Sequence, residues 1–69
     1  MNTYLVVFER SSAGYDAYAP DLPCCVAAGR TIDETRRRMA KAMEMHLTAM
    51  REDGDIIPEP SHFELMEAV

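Results

Sequence analysis

The side chains able to hold a metal ion are Cys24, Cys25, His46 and His62, and their spacing is wrong for one. Structural zinc is held by pairs spaced as in CxxC or HxxxH, where the intervening residues let both ligands face the same ion. Here the cysteines are adjacent and the histidines belong to different segments. No metal or cofactor is expected. Cys25 reads instead as a small buried hydrophobe at the start of a strand. Neighbouring Cα atoms lie about 3.8 Å apart, below the ~4.4–6.8 Å of an ordinary disulfide, so an internal bridge would be strained. Free thiols of this kind fit a reducing compartment, and a cytoplasmic location is expected.

Nucleophilic or acid–base catalysis needs a base, a nucleophile and an orienting group within reach of one another. No Ser/His/Asp or Cys/His set is legible. His46 falls on an apolar helical stripe and reads as a packed amphipathic residue, and His62 as an outward strand residue. Glu9, Asp16 and Asp21 approach one another if the first two strands pair, and such carboxylates can hold Mg²⁺ for phosphoryl chemistry. A small metal-dependent nuclease is thus the alternative reading. Acids at strand ends more commonly form a solvated edge, so no enzyme is expected. Arg36-Arg37-Arg38 with Lys41 wraps around a helix rather than forming one patch, and Glu34–Arg38 at i, i+4 accounts for part of it. With a net charge of −5, unaided nucleic-acid binding is not expected.

The elements that must position these groups are short. Residues 3–9 are β-branched and aromatic, with Tyr4, Val6 and Phe8 on one face of a strand and Leu5 and Val7 on the other. Ser11-Ser12-Ala13-Gly14 reads as a hairpin connection into a second strand over 15–19. Pro20 and Pro23 then break the pairing before a third strand over 25–28. Thr31-Ile32-Asp33-Glu34 is a capping box, and no Pro or Gly interrupts residues 32–52 before Asp53-Gly54. Ile32, Met39, Met43, His46, Leu47 and Met50 form the apolar stripe of this helix, flanked by Ala42 and Ala49. Beyond a Pro-punctuated connector, residues 62–66 alternate again, with Phe63 and Leu65 on one face, and predict a fourth strand. The fold class is α+β: a three-stranded antiparallel meander, one long helix and a fourth strand, β-β-β-α-β, in a single domain over 1–69. One helix covers one sheet face, which leaves Leu5 and Val7 bare and predicts a homodimer or homotetramer.

At 48% hydrophobic and 28% charged residues the chain has a globular composition, and no apolar run is long enough to cross a membrane. Charge is unevenly spread. Residues 1–51 carry seven basic and six acidic residues, a net of +1. Residues 52–69 carry six acids and no Lys or Arg, a net of −6. Such an acidic third suits a basic partner surface.

The stretch Tyr15-Asp16-Ala17-Tyr18-Ala19-Pro20-Asp21-Leu22-Pro23-Cys24-Cys25, followed by Gly29-Arg30-Thr31 and Glu34, resembles the signature of HicB-like antitoxins. Met45-His46-Leu47, Arg51-Glu52-Asp53-Gly54 and Ile57-Pro58-Glu59-Pro60 extend the likeness along nearly the whole chain. Cys24 stands where that family usually has Gly, and Thr35 where it usually has Ala. The resemblance implies a partial RNase H-like fold without the nuclease's catalytic set. It also implies a partner, a small basic HicA-type toxin that cleaves mRNA and is silenced by direct contact. Contact residues are expected in the Asp21-Leu22-Pro23 loop and at Glu59, Glu64 and Glu67. The DNA-binding segment that many relatives add has no counterpart in the residues matched. An orphan oligomeric or ligand-binding domain is the third reading.

Overall fold

The computed structural model describes residues 3–68. Its elements are β1 (Val7–Ser11), β2 (Gly14–Tyr18), β3 (Val26–Gly29) and α1 (Ile32–Glu52), with the strands in the order β1-β2-β3. Both pairings are antiparallel. Phe8 lies opposite Ala17, which lies opposite Ala27, while Val7, Tyr18 and Val26 form the next rung. Successive rungs point to opposite faces. The Phe8 rung packs into the core beneath the helix, and the Val7 rung is left on the far side.

The first strand starts four residues later than its apolar pattern suggests. The backbone beyond Tyr18 explains the shift. In line with the β2–β3 ladder the Ala19 amide faces the other way and donates to the Cys25 carbonyl at 3.3 Å, so the next amide that could bond a longer β1 is that of residue 20. Pro20 then has no amide to offer. Tyr4 and Val6 still pack inward, as an extended approach to the strand.

The capping box forms with one change of partner. Thr31, at φ −128° and ψ 162°, accepts at its side chain from the Glu34 amide at 3.1 Å. Glu34 reaches back past the cap and accepts from the amide of Arg30, also at 3.1 Å. At the other end the Asp55 amide donates to the Met50 carbonyl and the Gly54 amide to Arg51. Gly54, at φ +74°, makes this reversal, the double bond pattern of a Schellman motif.

The core is small: Tyr4, Ala17, Ala19, Leu22, Cys25 and Met39, with Met43 and Leu47 packed against it. Ile32, expected on the apolar stripe, is 38% exposed, and Thr35 is fully buried in its place. A hydroxyl at that depth needs an acceptor. It has one, since Thr35 Oγ1 donates to the Thr31 carbonyl at 2.8 Å.

The fourth strand expected over 62–66 does not form. Among the described residues, those from 55 to 68 have no regular structure. An isolated extended segment is not stable as a strand without a hydrogen-bonded neighbour. The single chain is therefore β-β-β-α.

Two substitutions probe the sheet–helix junction. A Cβ at Gly29 would lie 2.7 Å from Thr35 Oγ1 and 2.9 Å from the Thr35 amide nitrogen. Gly29→Ala is expected to destabilise the fold by about 1–3 kcal/mol through overpacking, read as a lower urea midpoint. Cys24, at φ 59°, is the non-glycine residue with left-handed backbone among those described. That conformation costs an L-residue about 1–2 kcal/mol, against roughly 0.5–1 kcal/mol of chain entropy lost by glycine. Cys24→Gly is expected to raise stability by about 0.5–1 kcal/mol in the same assay.

Candidate partner-binding site

The loop from Ala19 to Cys25 is a pair of tight turns. The Leu22 amide donates to the Ala19 carbonyl at 3.1 Å, and the Cys25 amide to the Leu22 carbonyl at 3.3 Å. These bonds turn Leu22 inward, where it is 2% exposed, and leave Pro23 and Cys24 on the surface. Cys24 adopts the backbone conformation that glycine takes freely, so the turn survives the exchange. Burial pushes the Cys25 thiol up from its ordinary value, away from thiolate character.

Asp21 ties this loop to the chain's end. Its Oδ2 accepts from the Ser61 amide at 2.8 Å, and its Oδ1 from the Ser61 hydroxyl at 2.6 Å. The side-chain bond from Ser61, and then the backbone bond, hold the Asp21 carboxyl below the usual aspartate value. Three residues earlier, the Tyr4 hydroxyl donates to the Pro58 carbonyl. The connector is therefore fastened at two points, one beside β1 and one at the β2–β3 loop.

This fastening brings two of the sequence-derived segments together. Asp21 and Pro23 sit in the loop, and Glu59 flanks the anchored Ser61. Glu64 and Glu67 follow on an exposed stretch, where the His62 ring lies 2.9 Å from the Glu64 carboxylate. Leu22 does not share that surface: its side chain belongs to the core and shapes the loop from beneath. Sequence reasoning missed Ser61 and the Tyr4 hydroxyl. The available signal was slight, a lone serine after Pro58-Glu59-Pro60.

The other chemical candidates are spent locally. Glu9 and Asp16 lie directly opposite on the outer sheet face, while Asp21 is engaged by Ser61. Among the described residues no three His, Cys, Asp or Glu side chains group as a metal site. Arg36 is paired with Asp33 and stacks over the Phe8 ring at 5.9 Å. Arg38 donates to the Ala28 carbonyl at 2.9 Å and lies 3.4 Å from Glu34. Arg36 and Arg38 are thus engaged by different neighbours. His46 is half-buried, its Nε2 enclosed without a hydrogen-bond partner among the described residues. No helix among the described residues is long and apolar enough to cross a membrane.

A curated relative shares 31% identity over 61 residues: an uncharacterised 14.9 kDa protein in the rep-hol intergenic region of Haemophilus phage HP1 (strain HP1c1). The match covers 88% of this chain and 46% of that protein, so the chain spans about half the relative's length. The family described as HicB-like antitoxin of bacterial toxin–antitoxin systems matches residues 4–69. With the Pro-Asp-Leu-Pro double turn, the capped helix and the anchored acidic connector all inside that span, the chain belongs to the HicB-like antitoxin family.

Proposed function

We propose that this protein is an antitoxin that neutralises a small basic HicA-type mRNA-cleaving ribonuclease by direct contact, with no catalysis of its own. The supporting observation is the Asp21–Ser61 clasp. It sets the Asp21–Pro23 loop beside a segment that holds six acids and no basic residue, a surface suited to a basic protein. Asp21, Pro23, Glu59, Glu64 and Glu67 make the contact, and Leu22 holds the loop in shape. The protein acts in the cytoplasm as a homodimer or homotetramer. The half-open outer sheet face supports self-association, since Tyr18 is 38% and Val26 65% exposed there. The three-strand-and-helix core is read as the remnant of an RNase H-like fold, completed by a fourth strand only on assembly.

Charges on the rim of an interface act mainly on the association rate, and salt screens them with a Debye length of about 8 Å at physiological ionic strength. Replacing Glu59, Glu64 and Glu67 together by Gln is expected to slow toxin association roughly tenfold at low salt and flatten its salt dependence. Dissociation changes less, because the apolar contacts are untouched. An unchanged association rate in stopped-flow mixing would make the acidic third a solubilising edge and nothing more.

The clasp has its own pH dependence. Since folding lowers the Asp21 pKa, the stability it lends is present at neutral pH and is lost as pH falls through that lowered value. Protection of the Ser61 amide, its exchange rate relative to an unstructured amide at the same pH, is expected to hold at pH 6–7 and to be lost only under more acid conditions than an ordinary aspartate requires. Asp21→Asn is expected to give fast Ser61 exchange already at neutral pH, with the helix amides unaffected.

A further inference from the structure

The outer face of the sheet sets two carboxylates opposite each other and supplies no cation between them. Glu9 pairs with Asp16 and Asp16 with Ala28, two residues along the strands from Val7, Tyr18 and Val26 and on the same face. Like charges directly opposite on neighbouring strands repel. Among the described residues neither carboxylate has a hydrogen-bonding or ionic partner. The arginines that come near are engaged already. Arg10 stands over the Tyr15 ring at 5.8 Å on the other face, and Arg38 is held by the Ala28 carbonyl and Glu34.

Ala28 ends this rung in a methyl group, so the surface dips beside the acids. The hollow measures about 440 Å³, and Glu9, Asp16, Tyr18, Val26 and Ala28 are among its lining residues. Its acidic end is Glu9 and Asp16, and its apolar wall is Tyr18 and Val26, both exposed. Such a surface suits a side chain with a long apolar stem and a cation at its tip. Arginine meets it better than lysine. A planar guanidinium can divide its N–H groups between two carboxylates and lie against an aromatic ring.

The other occupants fit less well. A tightly held metal ion asks for more ligands than two carboxylates, and among the described residues no three such groups stand together. A nucleic acid would bring phosphates against the acids. A second copy turned over this rung by a two-fold axis would bring its own Glu9 and Asp16. Charge complementarity selects a basic protein.

We propose that the outer sheet face docks a basic partner protein through one arginine of that partner, its guanidinium shared by Glu9 and Asp16 and its stem laid along Tyr18 and Val26. This gives the two sets of acids different tasks. Exposed charges on the connector steer the approach, and the carboxylates in the hollow act on dissociation once an arginine covers them. The choice of a protein as partner rests on the antitoxin reading. The test uses a short peptide, so that the two readings fail separately.

Acetyl-Gly-Arg-Gly-amide titrated into the isotope-labelled whole chain is expected to give saturable amide NMR shifts at Asp16, Tyr18, Val26 and Ala28, with a Kd of about 1–10 mM. The same peptide with neutral citrulline in place of arginine is expected to bind at least about tenfold more weakly. The double variant Glu9→Gln, Asp16→Asn is expected to lose about tenfold for the arginine peptide. Its far-UV circular dichroism is expected to be unchanged and its urea midpoint no lower, since a like-charge pair has been removed. Tyr18→Ala, with both acids in place, is expected to weaken binding about threefold. Equal binding of the citrulline peptide, undiminished binding to the double variant, or shifts confined to residues 52–68 overturn the proposal. So does a change in the oligomeric state of the double variant in sedimentation velocity, which would give this face to a second copy. None of these outcomes bears on the antitoxin reading, which the triple glutamine variant tests.

Discussion

Where the third strand hands over to the helix, backbone and side chain approach more closely than any residue but glycine allows. Gly29 leaves no room for a Cβ against Thr35, and Thr35 is wholly buried with its hydroxyl on the Thr31 carbonyl. Thr31 in turn caps the first turn through Glu34. These contacts fix the helix start hard against β3. From there the helix runs over β3 and β2, and β1 keeps an uncovered flank. The apolar groove beside β1, lined by Val6, Phe8, Met39 and Met43, is thus a consequence of how closely the helix is drawn to the opposite edge.

A core of six buried hydrophobic residues among those described gives such a domain little stability to spare, a few kcal/mol at this length. Local devices carry much of the load: a capped helix start, a glycine reversal at its end, and a double turn between the strands. None of them covers apolar surface at the β1 edge or on the outer face.

What the sequence made legible is what depends on neighbours in the chain. Thr31 and Glu34 announce the helix, Gly54 ends it, and the two prolines around Asp21-Leu22 break the sheet. Each acts within four residues. The alternation of Tyr4, Val6 and Phe8 gave the inward face correctly but placed the strand too early, because the next amide that could face β1 would belong to Pro20, which has none. Thr35 escaped the apolar stripe because its burial rests on one backbone acceptor that no hydropathy pattern records. Ser61 escaped for the same kind of reason: its partner is forty residues away in the chain. At the candidate site, the acidic residues were readable as composition. Their meeting with the Asp21 loop was not, because it hangs on that one serine.

The fourth strand is the most instructive difference. Residues 62–66 carry a strand's alternation, yet they pair with no strand in the structure. A pattern of period two sets two faces, and here they differ in kind: Phe63 and Leu65 on one, His62 and Glu64 on the other. In the single chain both faces are open: Phe63 is 54% and Leu65 97% exposed, and His62 and Glu64 are exposed as well. The Asp21–Ser61 clasp fixes the connector as far as residue 61, so the placement of Glu59 is set by the body of the domain, while Glu64 and Glu67 follow on the exposed stretch beyond it.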